Sequence, residues 1–329
     1  MQIKSILAFR NDRFGEFLLT IPAFWKLKQS YPDARINLVV NKDVLPLARR
    51  IPFVDRLIVW ENRKHTFGEA LKFSKELRRG RYDLSVIFNP SKEFNIVSFL
   101  AGIPIRAGYD RKWGFLLNRK IKDSKEQGLR HEVDYNLELL KTIGIKVDPS
   151  DISLPLETIK NEDFADERLT ELGISDNNFI AIHPYSSNPE KELAADKFRQ
   201  LCARLSHEAA YGCGYGESIV LIGGQEEAIR AGEFSQGLPV INLTGKTSLI
   251  ELAGLLKRSR LLVTVDSGPM HLAAAVGTPV VAIFRKNPPA VSAVRWGPVG
   301  AQHIIIENDS IENVNLNEVL NAIRKALSG

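Results

Sequence analysis

Short apolar, β-branched runs alternate with amphipathic helical stretches in both halves of this chain, and that alternation constrains the fold more than any other feature. In the first half, strands read at Ile6 to Phe9, Ile36 to Val40, Arg56 to Trp60 and Leu84 to Phe88, with helices around Phe17 to Ser30, Val44 to Arg50 and Phe67 to Arg79. The second half repeats the order with strands at Phe179 to His183, Ser218 to Ile222, Val240 to Leu243, Leu261 to Val265 and Val280 to Phe284. Helices fall at Ala195 to Ala210, Glu226 to Ser235, Leu249 to Lys257 and Met270 to Val276. Strands separated by helices build parallel sheets, because a parallel neighbour is reached only through a crossover. At 329 residues the chain exceeds what one core usually serves, so two Rossmann-like halves of the α/β class are expected, 1–160 and 161–329. The polar, proline-bearing stretch Lys146 to Asp176 joins them. A helix around Glu132 to Thr142 finishes the first domain, and an amphipathic helix, Asn317 to Leu327, closes the chain, with packing back on the first domain left open. Pro22 interrupts the first helix, either by a kink or by a break.

Composition excludes several classes. With 44% hydrophobic and 25% charged residues the chain is an ordinary globular protein. Two cysteines, Cys202 and Cys213, support neither a disulfide framework nor a zinc site. No run of about 18 apolar residues spans a bilayer, and Ile3 to Phe9 is strand-like with no apolar signal core, so a cytoplasmic location is expected. Charge is unevenly spread: residues 1–150 hold 28 Lys+Arg against 17 Asp+Glu, and residues 151–329 hold 16 against 22. The basic half suits a phosphate-bearing partner or an anionic membrane surface. Nucleic acid is not expected, since no recognition-helix, zinc-finger or RNP pattern lies beneath the charge. Gly212, Gly214 and Gly216 follow a helix and precede a strand, the reverse of a dinucleotide fingerprint, which removes the main support for a nicotinamide enzyme.

Three segments carry chemistry. Val263-Thr264-Val265-Asp266-Ser267-Gly268-Pro269-Met270-His271-Leu272 reads as a buried strand turning into a helix, whose first N–H groups favour an anion; helix capping by Asp266 or Ser267 is the plainer alternative. Arg10-Asn11-Asp12-Arg13-Phe14-Gly15-Glu16 follows the first strand, so its side chains face the crevice beyond the strand ends. Glu16 there is a candidate general base, or else a first-turn carboxylate answering the helix dipole. His183-Pro184-Tyr185-Ser186-Ser187-Asn188-Pro189-Glu190-Lys191 offers hydroxyls, amides and one ammonium to phosphate oxygens. The chain has no Asp-x-Asp, so no metal site is evident, and charge neutralisation falls to Lys191 and the helix N-termini.

Together these segments, with His131-Glu132-Val133-Asp134-Tyr135-Asn136 before the linker and Gly277-Thr278-Pro279, resemble glycosyltransferase family 9, the bacterial heptosyltransferases. The resemblance implies a GT-B fold, two Rossmann-like domains with parallel sheets facing across a cleft. It also implies inverting, metal-independent transfer from a nucleotide-diphosphate sugar, typically ADP-heptose, with no cofactor. By that resemblance Ser186, Ser187, Lys191, Asp266, Ser267, Gly268 and His271 line the donor site, and Glu226 or Glu227 contacts the ribose. Glu16 is the base, Lys191 steadies the leaving group, and Arg10, Asp12 and Arg13 meet an anionic, lipid-linked glycan acceptor, with peripheral contact at the cytoplasmic face of the inner membrane. Two departures stand out: Glu16 occupies a position where the family has Asp, and Tyr185-Ser186 replaces a Gly-Ala step. They motivate a second reading, a catalytically impaired nucleotide-sugar-binding protein of the same pathway. A third, a related GT-B sugar-nucleotide epimerase, would need donor-only chemistry.

Overall fold

The computed structural model describes residues 2–148, 170–171, 174, 178–210 and 218–328. Its contacts divide the chain into two compact units, Met1–Thr158 and Ile159–Gly329. The expected boundary at 160/161, most of the stretch Lys146 to Asp176 and the glycine loop Gly212 to Gly216 lie outside the described residues.

The first unit holds six parallel strands: β1 (Ser5–Phe9), β2 (Arg35–Val40), β3 (Arg56–Val59), β4 (Leu84–Ile87), β5 (Ile105–Tyr109) and β6 (Arg119–Ile121). They stand in the order β3-β2-β1-β4-β5-β6. β1 pairs with β2 from Ser5 opposite Arg35 to Phe9 opposite Val39, and with β4 from Ile6 opposite Leu84 to Phe9 opposite Ile87. All five β1 residues are buried, as a strand covered on both faces requires.

The second unit repeats this topology with β7 (Phe179–His183), β8 (Ser218–Leu221), β9 (Val240–Asn242), β10 (Leu261–Val265), β11 (Val280–Arg285) and β12 (Ile304–Asn308). The order is β9-β8-β7-β10-β11-β12, again parallel throughout. In each sheet the winding reverses between the first and fourth strands. Crevices therefore open beyond the carboxyl ends of β1 and β4, and of β7 and β10.

Local sequence explains the helices that flank these crevices. Thr66 and Glu69 form a reciprocal capping box at the start of Phe67–Arg79, which buries Ala70, Phe73 and Leu77 against the first sheet. The stretch read as one helix from Phe17 is two, Phe14–Leu18 and Ile21–Ser30, with Pro22 in the first turn of the second. A missing N–H costs nothing there, so Pro22 begins a helix instead of kinking one. At the break, Asn136 Nδ2 donates to the Leu19 carbonyl at 3.1 Å and to Thr20 Oγ1 at 3.2 Å. The closing helix Leu316–Ser328 buries Leu316, Val319, Leu320 and Ile323 in the core of the second unit, which decides where its apolar stripe goes. Among the described residues no helix is long and apolar enough to cross a membrane.

Candidate active site

In the first unit, β1 delivers Arg10 into the crevice and the chain turns at once into the helix Phe14–Leu18. Arg10 is 2% exposed. Its Nε lies 2.8 Å from Asp12 Oδ1, and its Nη1 donates to the Phe88 carbonyl beyond β4 at 3.3 Å and lies 3.8 Å from Glu132 Oε1. Glu132, itself buried, also receives Lys125 Nζ at 2.5 Å, and that ammonium sits 4.4 Å from the centre of the Tyr109 ring. Charges taken out of water persist only when paired, so Arg10, Asp12, Lys125 and Glu132 form one interdependent cluster. Asn11 extends it by donating to the Trp60 carbonyl at 3.3 Å and accepting from Asn89 Nδ2 at 3.1 Å, which ties together the ends of β1, β3 and β4.

Glu16 stands in the first turn of Phe14–Leu18, half-buried beside this cluster. Burial pushes its carboxyl above the ordinary carboxylate range, the nearby charge of Asp12 adds to that, and Arg10 and Arg13 oppose it. Asp12 is also raised, by burial first, against the pull of Arg10. Of the residues expected at the acceptor, Arg13 is exposed, Asp12 half-buried and Arg10 buried. Arg10 is therefore placed to hold the carboxylates in position.

In the second unit, β7 leads into His183 to Lys191 and β10 into Asp266, the two elements flanking the switch point. Lys191 ends a short turn, Pro189–Lys191, capped by the Asn188 side chain, which accepts from the Glu190 N–H at 3.1 Å. Its Nζ lies 2.5 Å from Asp266 Oδ2, with the two side chains 16% and 12% exposed. Burial raises the Asp266 carboxyl, and Lys191 is the main opposing influence. Ser267 is the N-cap of the helix Gly268–Ala275, yet its side chain makes no capping bond; its Oγ lies 2.9 Å from Thr264 Oγ1. Capping by Ser267 is thus not what the segment does, and Asp266 is engaged by Lys191. The first-turn amides of an eight-residue helix then stand beside a paired ammonium, a setting suited to an anion.

The remaining predicted donor residues divide. Ser186 is half-buried and accepts from the Asn188 N–H at 3.3 Å, Ser187 is exposed, Gly268 and Pro269 open the helix, and His271 is buried within it. Glu227 accepts from the Gly224 N–H at 2.8 Å and so holds the turn after β8, whereas Glu226 is exposed. Tyr185, which stands where the family has a small residue, is fully buried, edge-on to His183 at 5.7 Å and to Phe234 at 4.8 Å. Sequence reading missed the roles of Lys125, Glu132 and Asn136. The latter two lie in the motif His131 to Asn136, while Lys125 has no local signal. Among the described residues, no three His, Cys, Asp or Glu side chains group to hold a metal ion.

Two parallel sheets of identical strand order, each with a polar cluster at its switch point, are the α/β arrangement of the GT-B fold. The chain belongs to glycosyltransferase family 9 (heptosyltransferase), whose sequence model matches residues 70–322. Lipopolysaccharide heptosyltransferase 3 of Escherichia coli (strain K12) is 29% identical over 297 residues, covering 86% of this chain and 82% of that protein. The structure of E. coli ADP-heptose lps heptosyltransferase II matches with a TM-score of 0.80 at 25% identity over 98% of both chains. The crystal structure of the glycosyl transferase family 9 from Veillonella parvula DSM 2008 matches at a TM-score of 0.84 and 23% identity, over 100% of this chain and 99% of that one.

Proposed function

We propose that this chain transfers heptose from ADP-heptose to an anionic, lipid-linked glycan of the lipopolysaccharide core, with inversion and without a metal ion, at the cytoplasmic face of the inner membrane. The observation that carries the reading is Lys191 held against Asp266 beside the helix start Gly268, at the second switch point. An ammonium and aligned amides stabilise the negative charge that grows on a departing diphosphate, the task a divalent cation performs elsewhere. Similarity to a lipopolysaccharide heptosyltransferase and to an ADP-heptose lps heptosyltransferase supports the sugar and the acceptor class.

The first unit contributes acceptor and base. Glu16 takes the proton of the acceptor hydroxyl as that oxygen forms its bond to the anomeric carbon, and on the opposite face the bond to the diphosphate breaks, ADP leaving with the electron pair. A carboxyl pKa lifted by burial makes Glu16 a stronger base near neutral pH. Asp12 and the exposed Arg13 meet the acceptor, while Arg10 positions Asp12. The second unit contributes the donor site, with Ser186, Ser187, Lys191, Asp266, Ser267 and Gly268 around the diphosphate and Glu226 the better placed of the two glutamates for the ribose. His271 supports the helix from within.

The test is nucleotide release from ADP-heptose, set against a panel of other ADP- and UDP-sugars, with and without a core acceptor. Acceptor-dependent release of ADP from ADP-heptose is the expected result. Binding without release across the panel identifies a non-catalytic binding protein, and acceptor-independent release with free sugar identifies an epimerase-like activity.

A further inference from the structure

The loop between β5 and β6 presents two large aromatics to solvent: Trp113 is 46% and Phe115 is 70% exposed, with ring centres 5.6 Å apart. Their exposure is built in. Lys112 and Trp113 are consecutive non-glycine residues in the left-handed region, at φ 47° and 72°, a costly conformation for side chains of this size. Asn95, a buried residue of the helix Lys92–Leu100, holds that conformation by donating its amide to the Lys112 carbonyl at 3.0 Å. Lys92, at the start of the same helix, sets its ammonium 4.2 Å from the centre of the Trp113 ring.

The surroundings are strongly basic. Residues 106–122 hold six lysines and arginines against a single carboxylate, Asp110. Asp110 pairs with Lys120 at 3.0 Å, and Arg111 pairs with Asp123 and Glu126, each at 3.1 Å. Among the described residues no carboxylate pairs with Lys92 or Lys112, so both positive charges flanking the aromatics are available to a partner. The loop leaves β5 at the carboxyl edge of the sheet, the edge at which β1 delivers Arg10 and Glu16.

We propose that Trp113 and Phe115, flanked by Lys92 and Lys112, seat the first unit on an anionic lipid bilayer, with the aromatic rings at headgroup depth and the lysines on lipid phosphates. Indole and benzyl rings fit a boundary apolar on one side and wet on the other, and cations beside them match the charge of that boundary. The inference deepens the proposed function and rests on its lipid-linked acceptor, which such a seat would bring to the edge where Glu16 stands.

The test is flotation of the full chain with vesicles of phosphatidylcholine containing phosphatidylglycerol, and with phosphatidylcholine alone, without sugar donor, so that binding is read apart from transfer. The wild type is expected to float with the anionic vesicles and to detach as salt rises. W113A/F115A should bind about 10-fold more weakly, or worse, and K92Q/K112Q about 25-fold more weakly, at about 5-fold for each basic contact. Unchanged circular dichroism and unchanged turnover of a soluble, delipidated acceptor show that these variants remain folded. The proposal is overturned if both double variants float like the wild type, or if the wild type ignores anionic vesicles. It is overturned equally if sedimentation shows a dimer that W113A/F115A dissolves, since the face then belongs to a second copy of this chain.

Discussion

Lys191 Nζ and Asp266 Oδ2 lie 2.5 Å apart across 75 positions of sequence, joining the loop after β7 to the turn after β10. The carboxylate fixes where the ammonium stands, at the start of the helix Gly268–Ala275, so on the proposed function that charge is in place before a diphosphate binds. Charge placed in advance needs no reorganisation as the leaving group departs.

Lys191→Ala should therefore lower kcat by roughly 100- to 1000-fold, the usual effect of removing one donor aimed at developing charge. It also leaves Asp266 largely buried and unpaired, so the melting temperature should fall with it. Steady-state kinetics with ADP-heptose, run with and without EDTA, check both this loss and the metal-independence proposed here. A requirement for divalent cation would mean that Lys191 does not carry the leaving-group charge.

Burial and Asp12 hold the Glu16 carboxyl above the ordinary carboxylate range. A base works only when ionised, so kcat/KM should fall as pH drops through that raised value, and the acidic limb should lie above the pH at which an exposed glutamate titrates. Glu16→Gln should remove the limb along with most of the activity. Glu16→Asp should lose about 100-fold, because withdrawing the carboxylate by about 1 Å misplaces it. A limb that survives in Glu16→Gln would assign the base to another group, with Asp12 the first candidate.

His183 ends β7 at 5% exposure, and burial pushes its imidazole down to about 4. The folded pKa lies below that of the unfolded chain, so the unfolded state takes up a proton first. Stability is full above about pH 6.5 and declines as pH falls towards 4, by about 1.4 kcal/mol per unit and roughly 3 kcal/mol in all. Urea unfolding across that window measures the slope, and His183→Gln should flatten it.

Glu132, 1% exposed, accepts Lys125 and faces Arg10. Removing one member of a buried pair leaves an uncompensated charge, and Glu132→Ala should cost about 3–5 kcal/mol. The double change Lys125→Met with Glu132→Leu should cost less than the two single losses added together, a coupling that a double-mutant cycle in denaturant reads directly.

The strong elements were open to reading from local pattern. Phe67–Arg79 carries its own start signal in Thr66 and Glu69, and Ala195–Ala210 and Leu261–Val265 have the bounds that their apolar spacing suggests. Weaker ones escaped. β6 is three residues, Arg119-Lys120-Ile121, at a sheet edge with two charged side chains, and β5 includes Arg106 and Gly108, so neither looks like a strand until a neighbour supplies its hydrogen bonds. The helix Lys92–Leu100 buries Phe94, Asn95, Val97 and Ser98, polar and apolar together, which blurs its period. At the candidate site, Glu16, Lys191 and Asp266 were visible because each follows a strand in a polar turn. The partnership of Lys125 with Glu132 and Arg10 was not, because tertiary packing alone sets which buried charges meet.

The amide of Asn136, seated where Leu19 gives way to Thr20, makes the front motif and the segment before the linker a single mechanical part, though more than a hundred residues of chain lie between them. Anyone grafting the Arg10–Ala23 stretch from one homologue into another should carry the matching helix Glu132–Leu140 with it. Transplanted alone, the opening segment arrives without the peg that closes its joint, and the carboxylate it brings loses its seating.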